Sequence, residues 1–91
     1  MSNISVLNYI LSEYTQPSLE GETVQVGFNT YDMVFEITYR NKQHNLFKVQ
    51  ELHYDLDNMV QYCTKVKEHL KTLKGFRTAE QLFDELKDFK L

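Results

Sequence analysis

The apolar residues of this chain change their spacing twice, and that change limits the architectures open to it. Ile4, Leu7, Leu11 and Tyr14 recur at i, i+3, i+7 and i+10, with Ile10 widening the stripe, which is the spacing of a helix that buries one face. Ser2 or Asn3 suits its N-cap, and Pro17 ends it. From Thr23 the period becomes two, and from Met59 it returns to the helical value. A chain patterned in this way has to lay helices on a sheet.

The middle segment reads as three antiparallel strands. Val24, Val26 and Phe28 alternate with Thr23, Gln25 and Gly27, and Asn29-Thr30-Tyr31-Asp32 supplies a hairpin connection. Met33, Phe35, Ile37 and Tyr39 then alternate with Val34, Glu36, Thr38 and Arg40 as a second strand. After a turn over residues 41–45, Leu46 to about His53 forms the third, with Phe47 and Val49 expected inward; Leu52 and Tyr54 fit the same face only if a bulge shifts the alternation.

Asp55 or Asp57 begins a second helix, whose stripe Met59, Cys63, Val66, Leu70 and Leu73 is the clearest in the chain. Gly75 suits a left-handed C′ position, with Lys71 and Lys74 near the negative helix end and Phe76 placed to fold back on Leu70. Thr78-Ala79-Glu80-Gln81 is a capping box, so a third helix follows with Leu82, Phe83, Leu86 and Phe89 inward. The expected fold is therefore α+β, in the order αβββαα. A chain of 91 residues with no proline- or glycine-rich linker is expected to form one domain over residues 1–91.

Several function classes find no residues to support them. His44, His53 and His69 fall in a turn, at a strand end and on a helix, and with a single cysteine they lack the paired spacing of a zinc site. Asp55-Leu56-Asp57-Asn58 opens like a calcium loop, but Val60 stands where glycine is required and Val66 where glutamate is. There is no Gly-x-Ser-x-Gly elbow and no glycine-rich phosphate loop, and Cys63 lies within an apolar stripe. The expectation is a protein without catalytic residues, metal or cofactor. No apolar run approaches the ~20 residues a membrane span needs. The amino-terminal residues lack the basic and apolar regions of a secretory signal, and the lone cysteine suits a reducing compartment, so the cytoplasm is the expected location.

Charge is distributed unevenly. Residues 1–39 hold Glu13, Glu20, Glu22, Asp32 and Glu36 and no Lys or Arg, whereas residues 55–91 balance seven acids with seven bases. The acidic half also carries tyrosine, and tyrosines bordering loops suit interface anchors. Glu20, Glu22, Tyr31, Asp32, Glu36, Tyr54, Asp55 and Asp57 are therefore the candidate partner-binding residues, with Tyr39 as a further aromatic near a strand end. A basic protein is the partner such a surface fits. The alternative is a nucleic-acid-binding module using Lys65, Lys67, Lys71, Lys74 and Arg77, near the end of the second helix.

The order helix, three strands, helix resembles that of double-stranded RNA-binding domains, and Ser5-Val6-Leu7-Asn8-Tyr9 through Glu13-Tyr14 is similar to that family's first helix. Where the family places a basic Lys-Lys-x-Ala-Lys cluster at the start of its second helix, this chain has Asp55, Asp57 and Asn58, which repel phosphate. With the third helix added, element order, size and acidity resemble one group of small phage-encoded anti-CRISPR proteins. These are acidic αβββαα inhibitors that occupy the nucleic-acid site of an RNA-guided nuclease. The resemblance spans nearly the whole chain and rests on those three properties. It implies a phage or mobile-element inhibitor in the host cytoplasm whose partner is a basic, nucleic-acid-handling protein.

Overall fold

The computed structural model describes residues 3–15, 21–73 and 78–91. The expected cap at Ser2, the stop at Pro17, the candidate Glu20, and Lys74, Gly75, Phe76 and Arg77 lie outside the described residues. The elements run α1 (Asn3–Thr15), β1 (Thr23–Asn29), β2 (Val34–Asn41), β3 (Leu46–Leu52), α2 (Leu56–Thr72) and α3 (Ala79–Asp88), the α+β order αβββαα. The strands form an antiparallel meander in the order β1-β2-β3.

Strand register decides which side chains share a face. Val24 lies opposite Tyr39 and Tyr39 opposite Lys48; Val26 opposite Ile37 and Ile37 opposite Gln50; Phe28 opposite Phe35 and Phe35 opposite Leu52. These rows make the face that meets the helices, where Val24, Val26, Ile37, Tyr39 and Leu52 join the buried stripes of α1, α2 and α3 in one core. α1 packs along β1 and against α2, and α3 packs on β1 and β2. The stripe read in α2 is buried from Met59 through Leu70, with Tyr62 added beside it, and Leu73 is partly buried. Within α3, Leu82, Phe83 and Leu86 are buried and Phe89 partly so. The capping box forms, Thr78 Oγ1 accepting from the Gln81 amide at 3.2 Å and Gln81 Oε1 from the Thr78 amide at 3.1 Å.

Two expectations about the strands are corrected. Met33 does not extend the inward face of β2. It sits in the hairpin turn with φ of 55° and is exposed. Phe47 and Val49 face outward, not inward, and Lys48, Gln50 and Leu52 take the helix-side face of β3 with no bulge. The reason is non-local. Pairing with β2 places Lys48 beside Tyr39, and its ammonium meets Glu80 of α3 at 2.6 Å, so a polar residue covers that edge of the core. Periodicity sees an apolar pair at Phe47 and Val49 but cannot see Glu80 arriving from the far end of the chain.

The opposite face of the sheet carries none of the described helices. Its rows are Gly27-Glu36-Glu51, Gln25-Thr38-Val49 and Thr23-Arg40-Phe47. Acidic groups occupy one end of this face, and a base and an aromatic ring the other.

Candidate functional site

The β1–β2 hairpin builds the acidic end. Asn29 Oδ1 accepts from the amides of Tyr31 at 2.9 Å and Asp32 at 3.2 Å, an Asx turn that fixes the start of the loop. Its Nδ2 donates to Asp32 Oδ2 at 3.3 Å and Glu36 Oε2 at 3.4 Å, so one asparagine orients two carboxylates. Tyr31 is left 97% exposed at the tip and Met33 71% exposed beside it. Left-handed backbone at a residue with a long side chain costs about 1–2 kcal/mol and usually falls to Gly or Asn, yet this turn places an exposed methionine there.

Strand pairing brings a second segment to the same end. Because Phe35 lies opposite Leu52 and Glu36 opposite Glu51, β3 finishes beside the hairpin and hands the chain to α2 there. Glu51 Oε2 meets His53 Nε2 at 3.2 Å. Asp55 Oδ1 accepts from the Asn58 amide at 2.8 Å as the N-cap of α2, Asp57 lies in the first turn, and Leu56 is 70% exposed. Carboxylates at a helix N-terminus are favoured by the peptide dipoles, which accounts for two acids at this position. Residues 24–39 and 49–64 contribute Asp32, Glu36, Glu51, Asp55 and Asp57 and not one Lys or Arg.

The sequence candidates therefore separate into groups. Tyr31, Asp32, Glu36, Asp55 and Asp57 all lie toward this end of the sheet, Glu36 on the open face and Asp55 and Asp57 at the start of α2. Tyr54 lies between them in the chain but is half-buried, its ring 5.6 Å from that of Tyr62. Tyr39 is fully buried, and burial is the first cause raising its hydroxyl pKa. Glu22 sits at the other end of the sheet, where Oε1 accepts from Asn41 Nδ2 at 3.0 Å and from the Tyr39 hydroxyl at 3.4 Å. It holds the second hairpin, since Asn41 Oδ1 in turn accepts from the amides of Gln43 at 2.9 Å and His44 at 3.2 Å. Met33, Glu51 and Leu56 belong to the acidic end and were not singled out by sequence. Their membership depends on strand register, which no local pattern carries.

At the far end of the open face, the Arg40 guanidinium lies 5.5 Å from the centre of the Phe47 ring, with Lys42 and Leu46 nearby around a shallow depression. On α2, Lys65 and Lys71 are exposed and Lys67 half-exposed. Of the histidines, His69 pairs with Glu85 at 3.1 Å and His53 with Glu51. Among the described residues no group of three or more His, Cys, Asp or Glu side chains could hold a metal ion. Cys63 is buried, and burial pushes its thiol pKa up, with Lys67 opposing only in part; the thiol therefore stays protonated at neutral pH. No described helix is long and apolar enough to cross a membrane. Comparison with protein families, curated proteins and solved structures finds no match to this chain.

Proposed function

We propose that this chain is a small non-enzymatic interaction protein that presents its acidic sheet end to a basic, nucleic-acid-handling protein. In this role it acts as an inhibitor of phage or mobile-element origin in the host cytoplasm, in the manner of the anti-CRISPR proteins it resembles. One observation carries the reading: the first hairpin with the start of β2, and the end of β3 with the start of α2, separated in sequence, supply five carboxylates and three exposed apolar side chains (Tyr31, Met33 and Leu56) at one end of the sheet, and residues 24–39 and 49–64 themselves hold no Lys or Arg. Carboxylates arrayed in this way pair with the Arg and Lys that otherwise hold phosphates, and they speed encounter through the long-range field. The apolar side chains supply the desolvated contacts that fields do not. The unfavourable backbone at Met33 supports the same reading, because strain kept at an exposed tip is commonly found where a surface works.

The test is capture followed by competition. The immobilised chain should retain a basic nuclease or nucleic-acid-binding protein from host lysate, release it when duplex DNA or heparin is added, and inhibit the captured protein's action on nucleic acid. A retained partner that binds DNA and the chain simultaneously, with full activity, would refute the proposal.

A further inference from the structure

The two edges of the sheet are treated differently. Along β1, the Asn8 side chain on α1 donates from Nδ2 to the Val26 carbonyl at 2.8 Å and accepts from the Val26 amide at 2.8 Å, so a helix residue takes the place of a neighbouring strand. That bond also fixes the pattern of the ladder. Antiparallel pairs alternate between bonded and non-bonded. With Val26 turned outward, Phe35, Ile37 and Tyr39 of β2 direct their backbone groups to β3, where Leu52, Gln50 and Lys48 receive them. Phe47, Val49 and Glu51 are then the residues whose amides and carbonyls point off the open edge. The Glu51 carbonyl is taken by Gln50 Nε2 at 3.1 Å, and no described backbone group pairs with the others. The same three residues place their side chains on the uncovered face, with Phe47 56% and Val49 43% exposed. β3 is thus an uninterrupted strand of seven residues, without proline or bulge, whose free edge is also apolar.

We infer that β3 pairs antiparallel with β3 of a second copy of this chain, with Val49 opposite Val49, to form a six-stranded sheet. The charges select both the occupant and the register. With Val49 on the two-fold axis, Phe47 lies opposite Glu51 of the other copy, so the row Gly27-Glu36-Glu51 runs on into Phe47-Arg40-Thr23 of the second sheet. The acidic row of each copy continues into the basic and aromatic row of the other, at both ends of the interface. A register shifted to centre on Lys48 would set two ammonium groups directly opposite, and one centred on Gln50 would leave Phe47 opposite His53 and Glu51 opposite Val49. Centring on Glu51 would set two carboxylates directly opposite, and centring on Phe47 would put the two Arg40 rows side by side; of these registers the Val49 one alone joins an acidic row to a basic one at both ends. It leaves Tyr31 and Asp32 at the tips of the first hairpins, away from the new contact, but takes up Glu51 of the acidic end; the inference rests on the edge of β3 alone, so Val49 variants test it while Asp32 and Asp57 variants test the proposed function.

Sedimentation from micromolar to millimolar concentration should show the mass rising from one chain to two. Val49→Pro removes a donor that points off the edge and no bond within the chain. It should leave a folded monomer, as should Val49→Lys, each checked by thermal melting. Cysteines report the register: Val49→Cys should cross-link with itself, because directly opposite bonded residues stand ~5.5 Å apart, within disulfide reach. Phe47→Cys and Glu51→Cys should not cross-link singly but should link when mixed. A chain that stays monomeric at every concentration overturns the inference. So does a dimer that survives both Val49 variants, or self-linking of Phe47→Cys.

Discussion

The two ends of the sheet differ in what lies beneath them. At the Arg40 end the helix-side face is closed: Tyr39 is fully buried against Phe83, and Glu22 and Asn41 tie the hairpin down by hydrogen bonds. At the hairpin end Phe28 and Phe35 stack edge to face at 5.0 Å, yet Phe28 remains 45% exposed and Phe35 only partly buried. Above the first end sit a cation and a ring; above the second, carboxylates, a tyrosine and a methionine. The contrast separates residues that hold the fold from residues that are free to bind. Side chains at the acidic end contribute less to the core and so are available to a partner at little cost in stability.

The largest test of that contrast is truncation at each end. Tyr39→Ala should destabilise the chain by about 3–5 kcal/mol, the usual cost of deleting a buried ring, whereas Phe28→Ala should cost about 1 kcal/mol or less because much of its ring is already in water. Denaturant unfolding of both variants measures this, and equal losses would erase the distinction. Charge gives a smaller version. Glu22→Lys should cost roughly 1–3 kcal/mol by stranding Asn41 and setting an ammonium against it, while Glu36→Lys, on the open face, should stay within about 0.5 kcal/mol. Smallest is the response to alkali. Burial raises the pKa of Tyr62, Cys63 and Tyr39. Groups that hold their protons more firmly when folded contribute fully below their unfolded pKa values, and that contribution is lost as pH rises through them. The unfolding midpoint should therefore be level near neutrality and fall by a few degrees above pH 9.0, the ordinary value for the thiol. A midpoint that rises with alkali would contradict the burial described.

Much of the fold was legible because its signals are local. The α2 stripe, the Thr78-Gln81 capping box and the alternation of Val24 with Val26 each lie within a few residues, and each appears in the structure as read. What escaped depends on partners distant in sequence. Lys48 reads as solvent-facing until Glu80 meets it, and Glu22 reads as one more acid until Asn41 claims it; the bond from Asn8 to the Val26 backbone has no local signal at all. The candidate surface shows the same division. The acidity of the first half is plain in the sequence, but only strand pairing puts Asp55 and Asp57 at the same end of the sheet as Asp32 and Glu36 and removes Glu22 from the group.

The central claim is that the acidic end, not the Arg40 end, meets the partner. It is tested most directly by titrating the captured partner against two charge-reversed chains in one calorimetric series. Asp32→Lys, Glu36→Lys and Asp57→Lys combined should weaken binding by about 100-fold or more, since close charge pairs at interfaces couple strongly, while Arg40→Glu with Lys42→Glu should leave affinity within about threefold. Loss of binding in the Arg40 and Lys42 variant with retention in the acidic-end variant would contradict it.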